Sequence, residues 1–131
     1  MPPGGIFFAK KQIVPIFVKK PKQMAIRRES NFLSKIRELA SPLLDKGDEL
    51  YLYGSRARGD ENLSSDWDIM IITINNKTED ESFEQYIYPL VSFGQKNNQE
   101  LSVLTYTAKE WEERKTTPFY HNVMKDRKKI L

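Results

Sequence analysis

Two short groups of residues in the middle of the chain have the types and spacing that phosphate and metal chemistry needs. The first is Gly54-Ser55, which directly follows the apolar run Glu49–Tyr53. A glycine at the C-terminal edge of a strand lets backbone amides approach an anion closely, and a helix start beyond it adds further unpaired N–H groups. The Ser55 hydroxyl supplies one more donor, and Arg56 and Arg58 bring positive charge beside this cradle. On its own, a Gly-Ser after a strand is a weak signal. The second group is Asp66-Trp67-Asp68. The two aspartates stand at the head of a strand, where alternation sends both carboxylates to one side. Like charges held so close repel and need a cation. Hard oxygen donors at that spacing suit Mg²⁺ or Mn²⁺, which complete an octahedron with water and substrate phosphates. Taken singly, Ser64-Ser65-Asp66 also reads as a polar turn entering a strand. With a phosphate cradle one strand earlier, the two groups together describe a site for a metal-bound polyphosphate.

The elements that must position these residues follow from periodicity. Phe32, Leu33, Ile36, Leu39, Ala40, Leu43 and Leu44 recur at helical steps from an N-cap at Ser30; Pro42 should kink or split this helix and Gly47 should end it. Glu49–Tyr53 and the isoleucine-rich Asp66–Ile74 read as strands, with a turn at Asn75–Thr78. A helical pattern covers residues 80–93, broken by Pro89, and Gly94–Asn98 reads as a turn into a third strand, Glu100–Tyr106. Thr107 and Glu110 form a capping box for a helix through Trp111, and Pro118 opens a last helix over Thr117–Met124. The order predicts an α/β (α+β) domain, a small sheet with helices packed on it.

Composition narrows the rest. The 131 residues make one domain's worth of chain, and 39% hydrophobic with 30% charged residues reads as globular. The chain has no cysteine, which excludes disulfide scaffolds, thiolate metal sites and cysteine nucleophiles. No apolar stretch approaches the roughly 20 residues of a membrane helix, so no membrane association is expected. Lys10, Lys11 and Gln12 interrupt the N-terminal apolar residues, which argues against a secretory signal and places the protein in the cytoplasm. The net charge of +3 is unevenly spread: residues 1–29 carry seven bases and one acid, and the remaining 102 residues carry −3. The body is therefore acidic beneath a basic head, which weakens any inference from charge to nucleic-acid binding by the folded part. Residues 1–23 hold four of the seven prolines and no sustained period. They are expected to be a basic, poorly ordered extension, with residues 24–131 as the domain; a basic arm that contacts nucleic acid is the alternative.

Gly54-Ser55, ten intervening residues, then Asp66-Trp67-Asp68-Ile69 resembles the signature of the DNA polymerase β-like nucleotidyltransferase superfamily. The wording GSRARGD…SSDWDIMI is similar to that of its minimal domains, and the resemblance runs from about Ser30 to the C-terminus. It implies a small mixed sheet with packed helices and two-metal nucleotidyl transfer. Asp66 and Asp68 would hold Mg²⁺ or Mn²⁺, and Gly54, Ser55, Arg56 and Arg58 would bind a nucleoside triphosphate. An acceptor hydroxyl, on a protein or an RNA, would attack the α-phosphate and release pyrophosphate.

The family pattern also asks for a third carboxylate on a later strand. Here Ser102 stands in that place, and serine serves neither as a carboxylate ligand nor as a base. Glu100 is on the same strand face, about 7 Å away by strand rise, and is the candidate replacement. Two rivals to a transferase remain. One is a catalytically weak nucleotide-binding module, resembling the antitoxin half of two-protein systems paired with a small helical protein. The other is a nucleic-acid-binding protein that uses the basic head. Bland roles are expected elsewhere: His121 has no triad partner, Trp67, Trp111, Tyr51 and Tyr53 pack, and Lys125–Lys129 reads as a solvated tail.

Overall fold

The computed structural model describes the backbone of residues 22–62 and 64–131, and side chains from residue 31 onward except at position 63. The chain forms two compact units, residues 1–33 and 34–131. Within the first, the described part is the opening of helix α1 (Lys22–Ala40). This helix begins upstream of the expected N-cap at Ser30. Met24 to Glu29 holds no glycine or proline, so nothing local forces a start at the serine. The expectation that residues 1–23 form an extension falls almost wholly on residues outside those described.

The second unit is built on four strands, β1 (Glu49–Tyr53), β2 (Trp67–Thr73), β3 (Leu101–Thr107) and β4 (Lys128–Lys129), in the order β3-β2-β1-β4. β1 is antiparallel to both β2 and β4, while β2 and β3 are parallel, so the sheet is mixed as expected. Between the strands lie α2 (Ser55–Arg58), α3 (Glu79–Ser82) and α4 (Tyr88–Lys96), then α5 (Ala108–Glu112) and α6 (Pro118–Asp126).

Strand alternation gives the sheet two different faces. One presents Leu50, Leu52, Trp67, Ile69, Ile71, Leu101 and Val103, all buried. The other presents Tyr51, Tyr53, Asp68, Met70, Ser102 and Tyr106; Trp111 of α5 and Val123 of α6 close over Tyr51 and Met70 there. The first face is purely structural. The second holds the aspartate and serine at one end and an aromatic core at the other.

Several boundaries differ from the sequence expectation for identifiable reasons. α1 stops at Ala40, and Pro42 sits in a short 3₁₀ turn, Ser41–Leu43, rather than within a kinked helix. Pro89 does not break the second helical segment: the chain widens into a π turn at Phe83–Ile87 just before it, where the Tyr88 amide donates to the Phe83 carbonyl. A π turn relieves the clash a proline ring makes with the carbonyl one turn earlier. Gly94 lies inside α4 rather than at a turn, which instead falls at Asn97-Asn98. The Thr107–Glu110 capping box forms as expected, and Pro118 opens the last helix as expected, with Thr117 as its cap and the helix running on to Asp126 rather than Met124.

The terminal basic run is not a free tail. Lys128 and Lys129 pair with Leu52 and Tyr51, and the Ile130 amide donates to the Leu50 carbonyl at 2.8 Å. The Arg127 guanidinium lies 4.3 Å over the Tyr51 ring. A run of charges looks solvated in sequence, but an edge strand has one open side and tolerates lysines there.

Candidate active site

Strand pairing assembles the site from three segments that are distant in sequence. In the antiparallel pair β1–β2, Tyr53 faces Asp68; in the parallel pair β2–β3, Asp68 faces Ser102. Asp66 lies just before β2, and the Trp67 amide donates to the Glu100 carbonyl at 2.8 Å, which sets Glu100 beside Asp66. Buried Trp67 and Ile69 alternate with Asp66 and Asp68, so both carboxylates leave the sheet on the same side.

Gly54 joins the two halves of the motif physically. Its backbone is at φ 78°, ψ −160°, a region open essentially to glycine alone. A Cβ placed there would lie 2.3 Å from Oδ2 of Asp68. The loop therefore passes directly against the carboxylate, and a side chain at this position would displace it. α2 starts at once, with the Gly54 carbonyl accepting from the Ala57 and Arg58 amides at 3.0 Å. The first N–H groups of such a turn have no intrahelical partner.

Burial pushes the Asp68 carboxyl above its ordinary value, the Asp66 charge pushes further, and Arg58 partly offsets both. A cation between the two aspartates would remove that penalty. Tyr53 is pushed up to about 12, by burial first and then by the Asp68 and Tyr106 neighbours, so its hydroxyl stays neutral. Its ring meets Phe119 edge-on with centroids 5.8 Å apart. These aromatic neighbours of the site have no local sequence signature: Tyr53 is identified only through strand register, and Phe119 only through the return of α6.

The two arginines are already engaged. Arg56 Nε donates to the Ser65 carbonyl at 3.0 Å, and its guanidinium lies 4.3 Å from the Trp67 ring centroid, on the structural face of the sheet. Arg58 is exposed and paired with Asp60 at 3.1 Å and Asp126 at 3.0 Å. Trp67 is a packing residue, 2% exposed, with its indole N–H donating to Gln99 Oε1; Trp111 is likewise buried. His121 is exposed and meets the Tyr120 ring edge-on.

Asp66, Glu100 and Ser102 line a cavity of about 250 Å³ together with Gln95 and Gln99. Glu100 thus neighbours Asp66, yet among the described residues no three His, Cys, Asp or Glu side chains come together as a metal-holding cluster. The carboxylates of Asp66, which lines this cavity, and of Asp68 fit Mg²⁺, which takes one or two protein carboxylates and fills its remaining positions with water and phosphate.

The model of the family described as "Polymerase beta, Nucleotidyltransferase" matches residues 34–131. That span is most of the chain and contains every site residue above; the chain belongs to the polymerase β nucleotidyltransferase family. Its fold is similar to that of two solved structures. One is a crystal structure of a toxin–antitoxin with AMP-PNP, at 16% identity and TM-score 0.55, covering 76% of this chain and 72% of that one. The other is a mutant of the toxin–antitoxin MntA-HpeT in which two aspartates, two positions apart, are glutamates; it matches at 14% identity and TM-score 0.54 with the same coverage. No match is found among curated proteins. Among the described residues no helix is long and apolar enough to cross a membrane.

Proposed function

We propose that this nucleotidyltransferase domain binds a nucleoside triphosphate together with Mg²⁺ and transfers a nucleoside monophosphate to an acceptor hydroxyl, weakly when alone. The observation that carries the reading is the contact of Gly54 with Asp68, which makes a phosphate cradle and a carboxylate pair into one site. Gly54 and Ser55 bind phosphate oxygens through backbone N–H groups and the Ser55 hydroxyl. Asp66 and Asp68 hold the divalent ion, which supplies charge neutralisation at the α-phosphate when bound. Arg56 keeps the Gly54–Ser65 loop closed on Trp67. Arg58, the exposed arginine, exchanges Asp60 and Asp126 for phosphate.

Transfer forms a bond from the acceptor oxygen to the α-phosphorus and breaks the bond to the β-phosphate, and pyrophosphate leaves. The acceptor proton needs a base. Ser102 stands beside Asp68 in the parallel register and is no base, which leaves Glu100 or water to take the proton. General-base catalysis is worth about 10²–10⁴-fold, so Ser102 at this position lowers turnover without harming binding.

A second reading is favoured by the same serine: a nucleotide-binding module that acts as the antitoxin-like partner of a small helical protein; that both structural neighbours are toxin–antitoxin structures, one with AMP-PNP, supports it. Two measurements test both. Calorimetry should give triphosphate binding that requires Mg²⁺ and is abolished by Asp66→Asn or Asp68→Asn; equal binding in chelator refutes the site. Incubation with labelled nucleoside triphosphates and candidate protein or RNA acceptors then separates transferase from binder.

A further inference from the structure

The two edges of the sheet are built differently. β4 is two residues long and both are lysines, a short charged edge of the kind that blocks further pairing. β3, at the other edge, is seven residues, Leu101–Thr107, with no charge and no proline. It lines a cavity of about 590 Å³ together with Phe83, Ile87, Glu110 and Arg114. Phe83 is 50% exposed there, and its ring contacts Tyr88, itself 60% exposed. Among the described residues no strand pairs with this edge, and exposed aromatic surface flanks it.

We propose that the β3 edge is the dimer interface of this chain, pairing antiparallel with β3 of a second copy about a twofold axis at Leu104. The register follows from the backbone. The Glu100 carbonyl points to β2, and peptide groups alternate between the two edges of a strand. Val103 and Thr105 therefore turn their N–H and C=O outward. Val103 exchanges both bonds with the partner's Thr105, and Thr105 with the partner's Val103. Leu104 meets its own copy across the axis.

Charge complementarity selects a second copy as the occupant. The axis is perpendicular to the sheet, so each face continues across the interface. Glu79 and Asp80, which follow the β2 end that pairs with Thr107, line the cavity with Thr105 and Tyr106, and Lys77 beside them is paired with Asp45. The C-terminal end of α4, where Gly94 packs on Leu101, lies at the other end and carries exposed Lys96. Antiparallel pairing brings each acidic end to the partner's Lys96. On the opposite face the Arg114 guanidinium lies 4.5 Å from the Tyr106 ring centroid, and Tyr106 pairs with the partner's Ser102. Arg114 is thus carried toward the partner's Glu100 and Ser102. Both charge contacts are satisfied in duplicate by one operation. The proposal rests on the strand edge and its flanking charges, and stands whether or not the domain transfers nucleotides.

The test uses the full chain. Light scattering and sedimentation should give a dimer. Leu104→Lys and Leu104→Glu set like charges across the axis, so each alone should be a monomer with unchanged circular dichroism, and their equimolar mixture should dimerise. Lys96→Glu, at an exposed helix end, should weaken the dimer several-fold and Asp80→Lys in the same chain should restore it; this pair reads the interface even if the Leu104 variants fail to fold. A monomeric parent, whatever else fills the groove, overturns the proposal. So does a dimer that survives Leu104→Lys, or a charge reversal at Lys96 that leaves association unchanged.

Discussion

Replacing Gly54 by alanine divides into a backbone cost and a displacement of the Asp68 carboxylate. The backbone part follows from φ 78°, ψ −160°, a conformation that costs a residue with a side chain about 1–3 kcal/mol. For a domain of this size that lowers Tm by about 5–20 °C. The steric part is a Cβ 2.3 Å from Asp68 Oδ2. The carboxylate is the free end of a short side chain, so it escapes by rotating about χ1, at little further cost to stability. Rotation moves a metal-binding oxygen, however, and Mg²⁺-dependent triphosphate affinity should fall at least about tenfold, or about 1.4 kcal/mol. Gly59→Ala is the control. Gly59 is at φ 86° with nothing within 4 Å of an added Cβ, so it carries the left-handed backbone cost of about 1–2 kcal/mol and leaves Asp68 in place. Thermal unfolding and calorimetry on both variants read the two effects separately. Binding lost equally in both variants, or retained in Gly54→Ala, refutes the claim that the loop and the carboxylate form one site.

The upward shift of Asp68 has a definite sign in stability. Its proton is held more tightly in the folded chain, so its contribution is full at low pH and is lost as pH rises through the folded value. Asp68→Asn should therefore raise Tm by a few degrees at neutral pH, with the gain vanishing below about pH 4; a variant less stable than the parent at neutral pH contradicts this. Ser102→Asp restores a carboxylate beside Asp68 and should raise transfer by about 10²-fold if acceptor activation is limiting; Glu100→Gln should lower residual transfer in the parent, and both are read with labelled triphosphate. Asp48 accepts from the Asp45 amide at 2.7 Å, the Ile74 amide at 2.8 Å and the Tyr86 hydroxyl at 2.5 Å. Asp48→Ala should cost about 3 kcal/mol or more by denaturant unfolding, because three donors, the buried Tyr86 hydroxyl among them, lose their acceptor, whereas Tyr86→Phe should cost about 1 kcal/mol.

Local chemistry is what made parts of this protein legible from sequence. Gly54-Ser55 at the end of an apolar run, and Asp66 and Asp68 two apart, carry their meaning in consecutive residues, because a strand's alternation and a turn's need for glycine act over a few positions. The capping box at Thr107 and Glu110 and the Thr117-Pro118 helix start are equally local, and both form where the residues place them. Tertiary structure decided everything that depends on which strands meet. Asp68 beside Ser102, Glu100 beside Asp66, and the Gly54 backbone against Asp68 Oδ2 all follow from pairings between segments that no short-range pattern links. The same holds for Arg58, whose carboxylate partner Asp126 lies at the end of α6, and for Lys128 and Lys129, a solvated tail in sequence and an edge strand once β1 offers them its open hydrogen-bonding side. A residue's type limits the chemistry it can do; the register of the sheet chooses the neighbours with which it does it.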